Sequence, residues 1–511
     1  LVSAAAVTPH FLATSAAIDL MSMGGSAIDA AIAADAVLGV VAPETCGLGG
    51  DLFALVHQPG QHVPTALNAS GRAGSNVSGA ALREQGHSTM PLMDPASVTI
   101  PGCVDGWHAL AQRYGRVGWS ERLAPALRYA TSGFPVSAEL ARALRARLEL
   151  LSAQPIGRHL YPDGRPPNLG ENLVRPDLAE SLRLIAGGNR DAFYLGAPGA
   201  AISNAVGGLI SATDLEAQQA EWVEPLGLAL FGLEGWTIPP NSQGYLTLAS
   251  LAVYERWFLR ATSPVERTHL QIESYRSQVA DRDLVLADPE YLPQPASELV
   301  SDARLSRRLD LAKRQNFRPP ESAPGGTAYL CTLDQSGMGV SFIQSNFMGL
   351  GTSIGAGSAG FILQNRGAGF NLVPGHPNEL GPGKRPLHTL SPSIWTQSGQ
   401  LHTILGTRGG DYQPQLLLQM AIRMFAEGDS AAEAQTHPRW TIEQIDDPEA
   451  PVLVEADTSP EVVTGLRERG HEVVIVQGVQ GGWGPVSVIR VGETIEAAAD
   501  PRVGTASAEV L

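Results

Sequence analysis

The pattern of apolar and polar positions changes character along this chain. Helical segments dominate the first part and short strands the second. Residues 1–42 read as two helices. Thr8-Pro9 opens the first, and Phe11, Leu12, Ala16, Ile18, Leu20 and Met21 supply its apolar surface. Gly24-Gly25 ends it. Ser26 caps the second, with Asp29 at N3 as a relative of the capping box. The second helix is rich in Ala, which allows close helix packing. A Gly-rich segment, Pro43 to Asp51, then leads into Leu52–Val56, which has the look of a buried strand.

Residues 104–150 and about 175–187 also read as helical. Ser263-Pro264-Val265-Glu266 is a helix start with a Ser cap, Pro at N1 and Glu at N3. That helix is predicted to run past Tyr275 and Val279 towards Asp288-Pro289. Residues 313–326 are polar and rich in Pro and Gly, the composition of an exposed, mobile loop. Beyond it come a strand at Ala328–Leu333, a turn at Asp334–Gly337 and a strand at Gly339–Ser345. A helix near Gln413 to Ala426 is set among short strands and Gly-rich turns. There is no internal repeat. The order of elements predicts a layered α+β fold in which helices cover stacked sheets.

Composition narrows the function. Of 511 residues, 43% are apolar and 17% charged, as in ordinary globular proteins. A net charge of −16 repels phosphate backbones, so nucleic acid is not an expected partner. Three scattered cysteines, Cys46, Cys103 and Cys331, fit neither a disulfide framework nor a metal site. The apolar stretch Ala27–Val41 is interrupted by Asp29 and Asp35 and is too short for a membrane span. With no visible signal peptide, the expected location is the cytoplasm. Length alone allows roughly three domains, although large layered enzymes run as one unit.

The informative string is Gly325-Gly326-Thr327-Ala328-Tyr329-Leu330. A Thr at a strand start is ordinary by itself. Cleavage between Gly326 and Thr327 would change its chemistry. It frees an α-amine of near-neutral pKa beside the hydroxyl, and that amine can take the hydroxyl proton. Two other motifs are weaker. Ala356–Gly360 approaches a serine-hydrolase elbow around Ser358, but Ala356 stands where the elbow has Gly. Gly349-Leu350-Gly351 is too short for a dinucleotide fingerprint. His10, His57, His62, His376, His388 and His402 lack metal-ligand spacing, so no metal or cofactor is expected.

The chain resembles the gamma-glutamyltransferase family of N-terminal-nucleophile hydrolases over nearly its whole length. Gly24 to Ala31, Gly47 to Gly50, Pro101 to Gly106 and His269 to Glu273 carry the resemblance in order. Ala280-Asp281-Arg282, Asp288-Pro289, Gly383 to Leu387, Leu405 to Gly410 and Asp500-Pro501-Arg502 continue it. It implies a four-layer αββα fold and a precursor cut into residues 1–326 and 327–511, which stay together as one unit. It also implies Thr327 as nucleophile with its own amine as base and Ser345 as a hydroxyl partner. Asn346 becomes a substrate contact, and the Gly409 and Gly410 N–H groups become the oxyanion hole.

The departures point to the substrate. The family binds a γ-glutamyl carboxylate with an Arg. Ser70 stands at that position here, with Arg72 two residues on. Gly369 stands at the acidic position that holds the α-ammonium, and His388-Thr389 replaces a paired serine. Arg366, Arg72, His388 and Thr389 therefore become the expected contacts for a small anionic amide without an amino group, oxamate first. Glutathione hydrolysis or γ-glutamyl transfer, a cephalosporin-acylase-like activity, a serine hydrolase at Ser358 and a non-catalytic binding relative remain alternatives. An oligomer of the two-subunit unit also stays open.

Overall fold

Neighbouring residues of a strand point to opposite faces, so a strand buried on both sides serves two cores. The strand Gly326–Leu333 does this. Ala328 and Leu330 join one buried cluster, whereas Tyr329, Cys331 and Leu333 join another. This computed structural model describes residues 3–258, 261–311, 326–443, 450–477 and 483–511. Of the loop predicted at 313–326, residues 313–325 lie outside the described residues, and Gly326 already belongs to the strand.

Two large sheets follow from that alternation. The seven-stranded sheet has the order Ser507–Val510, Ala5–Thr8, Gly326–Leu333, Gly339–Phe347, Asp51–His57, Thr65–Ala69, Glu221–Val223. The six-stranded sheet has the order Ile495–Ala499, Val486–Val491, Gln400–Thr407, Ser393–Gln397, Leu233–Thr237, Leu226–Leu230. Between them lie Phe53, Tyr329 and Ile343 from one sheet and Ile394, Ile404 and Ile489 from the other. On the outer face of the first sheet, Leu330, Val340 and Phe342 meet Ile28, Ile32 and Val37 of the helix Ala27–Val41. On the outer face of the second, Trp395, Leu405 and Val486 meet helices 245–258, 264–279 and 413–421. These are the four αββα layers.

The helix Ala27–Val41 is buried at every residue but Gly39, which explains why it is apolar all round. Its acids are handled internally. Asp29 completes a full capping box with Ser26 and pairs with Arg122 at 2.6 Å. Asp35 accepts the Trp107 indole N–H at 2.8 Å, and burial pushes its pKa up to about 7. Among the described residues, no helix is long and apolar enough to cross a membrane.

Other boundaries moved. The helix Pro264–Val279 ends before the predicted point, and a separate turn covers Arg282–Val285. Gln413–Ala421 is α-helical and continues as a π-helical turn, Ile422–Ala426. Residues 1–326 and 327–511 do not form separate bodies. Gly326–Leu333 pairs with Ala5–Thr8, Gly339–Phe347 with Asp51–His57, and Ser393–Gln397 with Leu233–Thr237. Interleaved strands tie the two portions together.

Candidate active site

Thr327 sits one residue into its strand and is 1% exposed in the continuous chain. Opposite it the ladder is irregular. Gln344 faces Ala328 and Phe347 faces Gly326, so the partner strand carries one extra residue across Ser345-Asn346. Such a bulge re-aims side chains. Here it accompanies a contact of 3.1 Å between the Ser345 and Thr327 hydroxyl oxygens. Ser345 also donates to the Gly326 carbonyl at 2.7 Å and accepts the Phe347 N–H at 2.8 Å. One hydroxyl thus touches both the Thr327 oxygen and the carbonyl ahead of it.

Asn346 follows on the bulge. Its Nδ2 donates to Pro43 O at 3.4 Å, and its buried Oδ1 has no partner among the described residues. The same loop brings up Glu44, which the sequence did not single out. A Cβ on Gly326 would overlap the Glu44 carbonyl oxygen, so glycine is required there. The Glu44 carboxyl has an unpartnered Oε2, and burial pushes its pKa up to about 8. A Pro-Glu in a Gly-rich loop was the available signal, but nothing local marked it as buried.

Arg366 is 1% exposed. Its guanidinium donates to Leu387 O at 3.3 Å and to Thr389 Oγ1 at 3.0 Å, and lies 3.7 Å from the centre of the Phe347 ring. Burial lowers its pKa to about 9, with Asp51 and Asp411 raising it only in part. Among the described residues no carboxylate is within ion-pairing distance of it. Thr389 is therefore brought to Arg366, and its hydroxyl hydrogen is free for another acceptor.

His388 and Arg72 are placed differently from the expectation. The His388 Nδ1 accepts the Leu390 N–H at 3.3 Å, so its other nitrogen, Nε2, carries the proton and donates to Asp51 Oδ2 at 3.2 Å. With both ring nitrogens engaged and no exposure, His388 has no donor left for a substrate. Burial, followed by the nearby Arg366 charge, lowers its pKa to about 3. Arg72 pairs with Glu221 at 2.8 Å and Asp288 at 3.3 Å, which occupies the guanidinium that was expected to meet a substrate. Ser70, expected from the resemblance to stand at the family's Arg position, is fully buried and donates to Asn68 Oδ1 at 2.7 Å.

Gly409 and Gly410 are buried with φ of 127° and 57°. Neither N–H has a hydrogen-bond acceptor among the described residues. Two adjacent unpaired buried N–H groups are rare and suit a negatively charged oxygen. Ser358 instead lies exposed on a short turn, Gly357–Ala359, not at a strand-to-helix elbow. A metal-type cluster, His269, Glu273 and His471, lies on the outer helix Pro264–Val279 and beside it. Arg276 donates to His471 Nδ1 at 3.3 Å, and the second His471 nitrogen meets His269 Nδ1 at 2.7 Å. These rings satisfy one another.

The sequence pattern of the gamma-glutamyltranspeptidase family matches residues 13–510. The chain is 35% identical to the glutathione hydrolase-like YwrD proenzyme of Bacillus subtilis, over 97% of this chain and 96% of that protein. It is 33% identical to the oxamate amidohydrolase proenzyme of Klebsiella pneumoniae, over 98% of each. Its fold superposes on the crystal structure of cephalosporin acylase from Bacillus halodurans with a TM-score of 0.92 and 32% identity, covering 99% of this chain and 96% of that one. The match is end to end and its relatives are proenzymes, so processing into a large and a small subunit comes with it. This chain is an autoprocessed N-terminal threonine amidohydrolase and belongs to the gamma-glutamyltranspeptidase family.

Proposed function

We propose that the enzyme hydrolyses the amide of a small carboxylate-bearing substrate, oxamate first, through an acyl ester on Thr327. Arg366 carries this reading. A buried guanidinium held by neutral acceptors has a charge that its surroundings leave incompletely compensated. A substrate carboxylate supplies the missing partner, and charge-assisted hydrogen bonds contribute about 1.5–3 kcal/mol each. Gly369 supports the loss of the amino-group requirement. A Cβ there would lie 2.5 Å from Leu387 O and 3.6 Å from Arg366 Nη1. No acidic side chain fits without a backbone shift, and an α-ammonium would face a guanidinium. An oxamate amidohydrolase at 33% identity stands among the relatives beside a glutathione hydrolase-like protein at 35%, so the choice rests on the pocket.

The chemistry begins with maturation. The Thr327 hydroxyl oxygen adds to the Gly326 carbonyl carbon, whose oxygen already accepts from Ser345. The peptide nitrogen takes up the proton that the hydroxyl gives up and leaves as the Thr327 amine, and water then cleaves the resulting ester. The new amine, with a reference pKa of about 7.7–8.0, takes the hydroxyl proton when neutral. Attack on the substrate amide sends charge to an oxygen facing the Gly409 and Gly410 N–H groups. Ammonia leaves with the proton, and water releases the acid and restores Thr327.

Ammonia release from oxamate, measured beside glutathione and amides of longer dicarboxylic acids, tests the proposal. Oxamate turnover with poor use of glutathione is the expected result. Glutathione turnover equal to the best small amide would overturn it.

A further inference from the structure

A peptide N–H is aimed by the carbonyl at the other end of the same planar unit. The Gly409 N–H shares its plane with the Arg408 carbonyl, which accepts from Thr407 Oγ1 at 3.0 Å. The Gly410 N–H shares its plane with the Gly409 carbonyl, which accepts the Tyr412 N–H at 2.9 Å. Both hydrogen bonds are local. They shape the loop without setting its distance from the pocket that would hold the substrate carboxylate.

Gln243 supplies that link. Its Nε2 donates to Gly410 O at 3.0 Å and to Thr389 O at 3.1 Å. Its backbone N–H donates to His388 O at 2.9 Å. Arg282 Nη1 donates to Gln243 Oε1 at 3.0 Å and pairs with Asp411, the next residue of the glycine loop, at 2.5 Å. The amide orientation is therefore decided: a flipped Gln243 would aim its oxygen at two carbonyls and its NH2 at a guanidinium. Gln243 is 0% exposed. It belongs to the first 326 residues, whereas the two carbonyls it ties belong to the remainder.

We propose that Gln243, oriented by Arg282 and Asp411, is a positioning residue that holds the oxyanion loop in register with the carboxylate end of the pocket. This rests on the reading of Gly409-Gly410 and Arg366-Thr389 given above. Register matters most for a short substrate. In oxamate the carboxylate carbon is bonded directly to the amide carbon, so no flexible linker absorbs a misplaced loop. In the amide of a longer dicarboxylic acid, three methylenes absorb it. A misplacement of about 1 Å costs on the order of a hundredfold in rate.

The test uses matured enzyme with two probes, oxamate and glutaramate, and three variants. Gln243→Ala is expected to lower kcat for oxamate by about thirty- to a hundredfold, with KM changed less than about threefold, and to lower it less for glutaramate. Gln243→Glu keeps the shape and the Arg282 contact but turns an oxygen towards two carbonyls. Its kcat relative to the parent enzyme is expected to rise as pH falls from about 8 to 6, because a protonated acid donates again. Asp411→Asn, which loosens Arg282, is expected to give a smaller fall in the same direction. Where Gln243→Ala fails to mature, the other two variants carry the test. A folded Gln243→Glu with kcat within about twofold of the parent at pH 8, or a loss that ignores pH, overturns the proposal. If the parent enzyme turns over glutaramate but not oxamate, the substrate reading has failed, and the kcat effects on glutaramate still decide the role of Gln243.

Discussion

Two arginine sites in this molecule look alike in sequence and behave differently in space. In one, Arg72 and Arg385 share Glu221 at 2.8 and 2.9 Å, and Asp288 accepts from both Arg72 and the Arg385 backbone. In the other, Arg366 is more deeply buried than Arg72 and, among the described residues, has hydroxyl, carbonyl and ring neighbours and no acid at ion-pair distance. A guanidinium whose charge is matched inside the protein is structure. One that is buried without a carboxylate is poised for a ligand that brings it.

The comparison has meaning only if chemistry runs through Thr327, so the largest effect is expected there. Thr327→Ala should remain a single chain on a denaturing gel and lose activity by at least about 10⁴-fold. A variant that is cut and active would remove the basis for both sites. Next, Arg366→Met should lower kcat/KM for oxamate by about ten- to a hundredfold. Its melting temperature should hold or rise, since an uncompensated buried charge is gone. Retained activity would break the contrast.

Arg72→Met should do the reverse. Its pairs are partly exposed and screened, so the expected loss is about 1–2 kcal/mol of stability in denaturant titration, with kcat/KM within about threefold. A large kinetic effect without a stability effect would exchange the roles of the two arginines.

The smallest expected effect concerns pH. Activity should rise with pH through the α-amine pKa, about 7.7–8.0 for a free terminus, because the amine acts when neutral. His388 stays neutral down to about pH 3 through burial and the Arg366 charge, so the rate profile should contain no histidine limb near pH 6.5. In Arg366→Met one of those two causes is gone, and the His388 pKa should move up. Ring-proton NMR titration of His388 in both proteins would measure this, and an unmoved pKa would mean that the Arg366 charge does not reach it.

Much of the fold could be read locally. Ser26 and Ser263 announced their helices because a cap is a short-range hydrogen bond. The strands 328–333 and 339–345 followed from periodicity, and each observed strand is longer by two residues. Of the candidate site, the Gly326-Thr327 string suggested its chemistry locally, whereas Gly409-Gly410 entered only through the family resemblance. The bulge at Ser345-Asn346 left no mark in the string, because it depends on register with another strand. Glu44 was missed because its burial comes from elements far along the chain.

The sequence by itself determined the layered α+β class and the position of the nucleophile candidate, since these depend on residue types in order. The tertiary structure decided which arginine is paired with acids. The acids that occupy Arg72 lie 149 and 216 residues away. The Asp51 that accepts the His388 Nε2–H lies 337 residues away. A local pattern sets what a side chain can do, but Coulomb and hydrogen-bond partners are chosen by distance in space. Only folding brings those charges within about 3 Å, where they count.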